Sequence, residues 1–174
     1  MAHHTPQTLQ DELRSLNIAF TLYEHVPVFT VEEAEAVSAN QPGAHIKNLF
    51  VRDKAGAFVL ITALTSRRID LNAMAKACGA AGNRWSFGSP EQLLEMLGVT
   101  PGSVTPLALI NAKPNTIRFI LDDGIFSENL VNPHPLINSA TLGLAPTDLV
   151  KAIEHWGHAI EQMDLGKFAR ADAA

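Results

Sequence analysis

Three short stretches of this chain carry residues equipped for chemistry: a lysine at the mouth of an apolar run, a glycine-to-proline loop, and a histidine boxed between two prolines. Lys47 and Asn48 stand in Gly43-Ala44-His45-Ile46-Lys47-Asn48-Leu49-Phe50-Val51. A cation there is placed for a task, although Lys47 and Asn48 equally suit the solvated end of a strand. Gly102-Ser103-Val104-Thr105-Pro106 combines a residue that tolerates positive φ with one that fixes φ and removes a donor, so the loop can present rigid amides and carbonyls to a ligand; an ordinary connector would look the same. In Asn132-Pro133-His134-Pro135-Leu136-Ile137-Asn138 the two prolines stiffen the backbone and limit where the imidazole can point. Other chemistries find little support. There is no GxSxG elbow, and the single cysteine, Cys78, has no histidine near it in sequence. Seven histidines are present, but Gly157 interrupts the helix that would align His155 with His158, and no HExxH or cysteine ligand set appears, so no metal site is expected. No glycine-rich phosphate loop is present either.

The elements that must position these residues follow from pattern. Leu49-Phe50-Val51 and Phe58-Val59-Leu60-Ile61 flank a polar stretch containing Gly56, which reads as a hairpin with Lys47 at its entrance. Spaced apolar positions predict helices near 6–16, 31–39, 70–78, 90–97 and 146–156, with Thr30, Asp70, Ser89 and Pro146 as start signals. Strands are expected near 19–25, 48–53, 57–63, 106–111 and 116–122, with shorter candidates near 84–87, 128–131 and 158–162. Helices and strands interleave without a repeat, a low-complexity tract or a linker. The expectation is therefore a single α/β domain spanning 1–174, built around a mixed sheet.

At 174 residues the chain is large enough to bury roughly two thirds of its unfolded surface. A hydrophobic content of 47% with 18% charged residues describes a chain that folds alone. No apolar run approaches the roughly 20 residues of a membrane helix, and the start lacks a basic segment followed by an apolar one, so the expected location is the cytoplasm, with no membrane partner. Cys78, in an alanine-rich helical pattern ending at Gly79, reads as a small buried hydrophobe. His3 and His4 read as a flexible start, and the 169–174 tail as frayed. The net charge of −5 argues against a surface that grips nucleic acid everywhere, and DNA is not an expected partner. Yet Lys47, Arg52, Lys54, Arg67, Arg68, Lys76 and Arg84 face only Asp53 and Asp70 within 45–84, and this excess could meet a phosphate backbone if the fold gathers it.

Taken together and in order, His25-Val26-Pro27 before the acidic Thr30-Val31-Glu32-Glu33-Ala34, then GxHxKNLFxRD, then the GxxxP loop in GSVTPLALIN, then HPLIN with Thr141 following, resemble the YbaK/ProX family of tRNA editing domains over about residues 7–163. Within it the chain looks most like the free-standing prolyl-tRNA editing branch that removes alanine from tRNA(Pro). The resemblance implies a strongly curved, partly closed, barrel-like sheet flanked by helices, with the site in a cleft between the sheet and its loops.

The resemblance also implies a reaction that asks little of protein side chains. An aminoacyl ester is already activated, and a vicinal ribose hydroxyl helps to position the attacking water. Lys47 matches the lysine that anchors the substrate, Gly102 and the amides of its loop would stabilise charge on the carbonyl oxygen, and Asn48 would donate to the carbonyl or ribose. Ser103, Pro106 and His134 would bound the pocket, His134 bonding the amino acid's ammonium when neutral. Ile46, Phe50, Val31 and Leu136 are candidate walls against proline's ring, each equally a core residue, and Asn138 and Thr141 are candidate shell residues. No cofactor is implied. The implied partners are the acceptor end of mischarged tRNA(Pro) and prolyl-tRNA synthetase. A cysteine-removing enzyme on the same scaffold and a non-catalytic tRNA- or synthetase-binding module remain open alternatives.

Overall fold

The hairpin that carries Lys47 is built by alternation along two neighbouring runs. In the computed structural model, which describes residues 2–27, 33, 36 and 41–170, β2 (Ile46–Arg52) pairs antiparallel with β3 (Phe58–Leu64), setting Lys47 opposite Ala63, Asn48 opposite Thr62 and Phe50 opposite Leu60. Asp53 organises the turn: its Oδ1 accepts from the amides of Ala55 and Ala57 at 2.9 and 3.0 Å. Gly56 supplies the positive φ of 87° that a side chain would resist.

The hairpin is extended into a mixed five-stranded sheet of order β4-β2-β3-β5-β7, where β4 is Ser86–Phe87, β5 is Ile117–Asp122 and β7 is Ile160–Met163. The β3–β5 and β5–β7 pairings are parallel, so β3 joins an antiparallel ladder to a parallel one. A separate two-stranded ladder pairs β1 (Phe20–Glu24) with β6 (Ala140–Leu144).

The expectation of one partly closed, barrel-like sheet is thereby corrected. Among the described residues there are two open ladders, linked by isolated bridges from Ala44 to Val131 and from Val131 to Leu144. The segment that would have to continue the sheet runs into Pro133 and Pro135, which have no N–H to give a ladder. The strand expected at 128–131 shrinks to the Val131 bridges for the same reason.

Capping fixes the helix starts. Thr5 and Ser89 close reciprocal capping boxes on α1 (Pro6–Ser15) and α3 (Pro90–Leu97), Asp70 accepts two amides at the head of α2 (Leu71–Ala77), and Pro146 opens α4 (Pro146–His155). Of the helix expected over 31–39, Glu33 and Ala36 are helical; Thr30, Val31 and the other positions lie outside the described residues. The strand expected at 106–111 is instead a 3-10 helix, Pro106–Asn111, with Thr105 Oγ1 capping the Leu107 amide. A short apolar run looks alike as buried strand or buried helix, and here the Thr-Pro cap decides.

The five-stranded sheet is covered on both faces. Phe50, Leu60, Phe119 and Leu121 point to a core shared with Leu9 and Leu13 of α1, Leu97 of α3, Ile153 of α4 and Leu107 of the 3-10 helix. Val51, Val59, Ile61 and Ile120 point to a smaller core with Met74 of α2 and Leu165. Burial on both faces explains why β3 reads as a continuous apolar run.

Cys78 caps the end of α2, half-buried against the smaller core, and burial pushes its thiol above the usual range, which suits packing rather than attack. The chain start is docked rather than loose: the His4 amide donates to Asn111 Oδ1 at 2.7 Å, and a Cβ on Gly98 would collide with the His3 side chain. No helix among the described residues is long and apolar enough to cross a membrane.

Candidate active site

Alternation along β2 separates the two neighbours that sequence puts side by side. Ile46, Asn48 and Phe50 take the face of the larger core, while Lys47, Leu49 and Val51 take the other. Lys47 and Asn48 therefore work in different surroundings.

Asn48 ties the sheet to the glycine-proline loop. Its Nδ2 donates to the Val104 carbonyl at 2.9 Å, and its Oδ1 accepts from Thr62 Oγ1 at 2.8 Å. Both ends of the amide are thus engaged, which makes Asn48 a tether for the loop. Within that loop Gly102 is exposed with φ of 88°, and a Cβ there would sit 3.7 Å from Asn138 Nδ2. Gly102 and Asn138 are neighbours in space. Ser103 is buried, and its amide is donated to the Thr100 carbonyl at 3.0 Å, which removes it from the loop's donors to a ligand. Pro106 is buried at the head of the 3-10 helix, so Ser103 and Pro106 shape the loop from beneath.

The proline-boxed segment folds back on β6. His134 Nδ1 lies 3.0 Å from the Ala140 carbonyl; a carbonyl only accepts, so Nδ1 carries the proton and Nε2 of the neutral ring is an acceptor. Burial, reinforced by nearby His25, pushes the His134 pKa below the ordinary histidine value, against the Ala140 bond that raises it. His25, just after β1, points its Nε2 at Thr141 Oγ1 at 3.0 Å while Nδ1 donates to Val26 O at 2.8 Å. Thr141 is buried in β6. Leu136 adopts φ of 68° although it is not glycine, a local strain held by burial in the larger core.

The proposed pocket walls divide. Val31 lies outside the described residues. Phe50 is 3% exposed and stacked on Phe58, with ring centroids 5.1 Å apart; it is a core residue. Leu136 is likewise core, and Ile46 is half-buried against the same cluster. Among these, Ile46 retains surface.

Lys47 turns toward the loop that leaves β3. Its Nζ donates to the carbonyl of Arg67 and, at 3.4 Å, to that of Thr65. Burial pushes its pKa down, and the charge of Asp122 pushes it back up. Sequence reading missed Thr62, Arg67, Asp122 and His25 as members of this arrangement. His25 left a signal as part of the His25-Val26-Pro27 motif, and Arg67 as one of the basic residues of 45–84; Thr62 and Asp122 enter through the pairing of β3 with β2 and β5, which spacing does not reveal.

The basic residues of 45–84 gather in separate places. Arg52, Lys54 and Arg84 line an open cavity of about 600 Å3 at the far end of the hairpin, while Arg67 and Arg68 join Arg170 around one of about 380 Å3. Among the described residues no three histidine, cysteine or carboxylate side chains are placed to hold a metal ion.

Comparison with known proteins bears on this geometry. Residues 25–152 match the family model described as an aminoacyl-tRNA editing domain. The prolyl-tRNA synthetase associated domain-containing protein 1 of Bos taurus is 37% identical over 153 residues, covering 86% of this chain and 89% of that protein. The prolyl-tRNA editing protein ProX of Acetoanaerobium sticklandii is 32% identical over 160 residues, covering 91% of this chain and 96% of the other. A solved structure described as a candidate trans-editing enzyme for prolyl-tRNA synthetase superposes with a TM-score of 0.67 at 19% identity, over 93% of this chain and 98% of its own; at that identity the likeness speaks for the fold alone.

Proposed function

This chain belongs to the aminoacyl-tRNA editing domain family, and on that premise we propose that it is an editing domain with its core at about 7–163, acting in the cytoplasm to deacylate mischarged tRNA(Pro), with alanine as the amino acid removed. The need for such a site is physical. One methylene in an apolar pocket discriminates by only about 1–3 kcal/mol, so a synthetase that accepts proline also charges smaller amino acids, and a second site must remove them.

In the proposed reaction a water oxygen bonds to the ester carbonyl carbon and the bond from that carbon to the ribose oxygen breaks. The proton leaves with the ribose oxygen, giving the free amino acid and a tRNA with its terminal hydroxyl restored. The neighbouring ribose hydroxyl orients the water. Lys47 anchors the terminal nucleotide electrostatically, and the Gly102 amide faces the oxygen on which charge develops. Asn48 acts through the loop, holding Val104 and hence the course of the backbone at Gly102. The bare Nε2 of neutral His134 accepts from the substrate ammonium, and Ile46 narrows the pocket.

The observation that carries this reading is the convergence of the loop and the proline-boxed segment, with Asn48 bonded to Val104 and Gly102 lying against Asn138. Groups that sequence spreads across some ninety positions thereby share a neighbourhood. The partners that follow are the acceptor end of tRNA(Pro) and prolyl-tRNA synthetase. Arg52, Lys54 and Arg84 offer a basic surface for the RNA backbone.

The test is single-turnover deacylation of Ala-tRNA(Pro), Cys-tRNA(Pro) and Pro-tRNA(Pro) by wild type and Lys47→Ala. Rapid loss of alanine alone, abolished by the substitution, is expected. Preferential loss of cysteine would reassign the substrate, and hydrolysis of none would overturn the enzymatic reading.

A further inference from the structure

The carbonyls that hold Lys47 are themselves held by a pair of charged residues to which the reaction above gives no role. Asp122, at the end of β5, is wholly buried and alternates from Leu121 onto the same face of the sheet as Lys47. Arg67 Nε donates to Asp122 Oδ2 at 3.0 Å and Arg67 Nη2 to Oδ1 at 3.3 Å, a two-pronged contact. The same carboxylate accepts from the Leu64 amide at 3.3 Å and the Gly124 amide at 3.2 Å. Asp122 therefore grips both ends of the 64–67 turn, which carries the Thr65 and Arg67 carbonyls that receive the Lys47 ammonium.

The fit around Arg67 is close. A Cβ at Gly124 would come within 2.6 Å of Arg67 Nη2, and one at Gly166 within 2.7 Å of Nη1. The guanidinium thus lies between two backbone segments, and a side chain at either glycine would have to displace it.

Charge accounting gives the arrangement a purpose. A buried carboxylate needs a cation, and two are within its influence. Arg67 takes it, by geometry a carboxylate matches in pairs of bonds. Lys47 is left to neutral carbonyls, which orient an ammonium without cancelling its charge. An ammonium has three N–H donors; two are spent on the turn, and the third remains for a ligand. Were Arg67 absent, Asp122 would have Lys47 as its remaining near cation, and a lysine paired to a carboxylate attracts a phosphate or a polarised oxygen poorly.

We propose that Arg67 is a positioning residue for Lys47: by occupying Asp122 it keeps Lys47 a cation free of carboxylate pairing, and through its own carbonyl it aims that cation at the substrate. This rests on the reading of Lys47 as the substrate anchor.

The experiment compares wild type, Arg67→Ala, Arg67→Lys, Asp122→Asn and the double variant Arg67→Ala/Asp122→Asn, with melting curves to verify folding. Two readouts are taken: the titration of the Lys47 ammonium by heteronuclear NMR, assigned with Lys47→Ala, and single-turnover deacylation of Ala-tRNA(Pro) as a function of enzyme concentration. Arg67→Ala is expected to raise the Lys47 pKa and to weaken half-saturation by about tenfold, a coupling of ordinary size for contacting charges. The double variant should recover most of both, because the carboxylate that captures Lys47 is gone; a merely structural role would make it worse. If Arg67→Ala does not fold, Arg67→Lys, which keeps the charge but not the paired bonds, should show the same changes in smaller measure. Unchanged Lys47 titration in the folded Arg67 variants, or a double variant no better than Arg67→Ala, would overturn the proposal. Absence of hydrolysis by wild type would instead overturn the editing reading, while the NMR titration would still decide whether Arg67 keeps Asp122 from Lys47.

Discussion

Asn48 and Val104 are tied across 56 positions of chain by a hydrogen bond of 2.9 Å, and the other end of the same amide is fixed by the buried Thr62 hydroxyl. A residue that reads as a donor to substrate is the strut that sets the loop beside it. Replacing Asn48 by Ala strands the Val104 carbonyl and the Thr62 hydroxyl, so a loss of about 1–3 kcal/mol in urea denaturation is expected, with slower single-turnover deacylation. Asn48→Asp, which keeps the acceptor for Thr62 but sets an anion against a carbonyl, should be at least as damaging.

Gly102 is a backbone requirement more than a spatial one. With φ of 88° and its nearest neighbour, Asn138 Nδ2, at ordinary contact distance from a Cβ, Gly102→Ala meets no collision. Its cost is that of a left-handed conformation, about 1–2 kcal/mol, or a shift of the loop. Deacylation should fall further than the melting temperature suggests; an enzyme with full activity would show that the Gly102 backbone does not face the reacting carbonyl.

A half-buried imidazole, His134, and a buried one, His158, make stability depend on pH. Burial pushes both His134 and His158 below the usual histidine range, against the Ala140 bond for the first and the Leu109 and Ala112 bonds for the second. In the unfolded chain each takes its proton near pH 6.5, while the folded chain resists until the pH is lower. Below about 6.5 the unfolded state thus binds more protons, and stability falls as pH falls. The melting temperature should drop between pH 7.5 and 5.5. His158 turns Nε2 toward Leu109 O at 2.9 Å, so His158→Gln keeps that bond and should flatten the dependence. An unchanged slope would mean that His158 titrates normally.

Phe50 separates wall from core. Sealed at 3% exposure and stacked on Phe58, it should cost about 3–5 kcal/mol as Phe50→Ala. The milder Phe50→Leu should leave the preference for alanine over proline unchanged in deacylation assays, whereas a trimmed Ile46→Ala should relax it. The opposite pattern would return Phe50 to the pocket.

The hairpin was legible because its alternation, its polar turn and Gly56 all point to one pairing, and the starts at Asp70, Ser89 and Pro146 because a cap is a local signal. The 106–111 segment was not, since burial on every side erases the period that distinguishes strand from helix. β6 escaped notice because Ala140-Thr141-Leu142-Gly143-Leu144 carries two small residues, and its pairing with β1 is decided by tertiary contact. For the site, motif order singled out Lys47, Gly102 and His134 as candidates, but not that Lys47 and Asn48 diverge across the sheet. That follows from strand parity, which a motif does not encode. The Arg67–Asp122 pair was invisible because its partners meet only once β5 lies beside β3.

That same parallel pairing sets a schedule for synthesis. The β2–β3 hairpin can close as soon as it is made, but one edge of β3, apolar toward both sides, has no neighbour until residues 117–122 of β5 follow. Through that interval the nascent chain presents a bare, hydrophobic strand edge, the feature most prone to pair with another chain. A ribosome that stalls between α2 and β5 would therefore hold out an aggregation-prone intermediate, and a chaperone that shields it need act only until β5 docks.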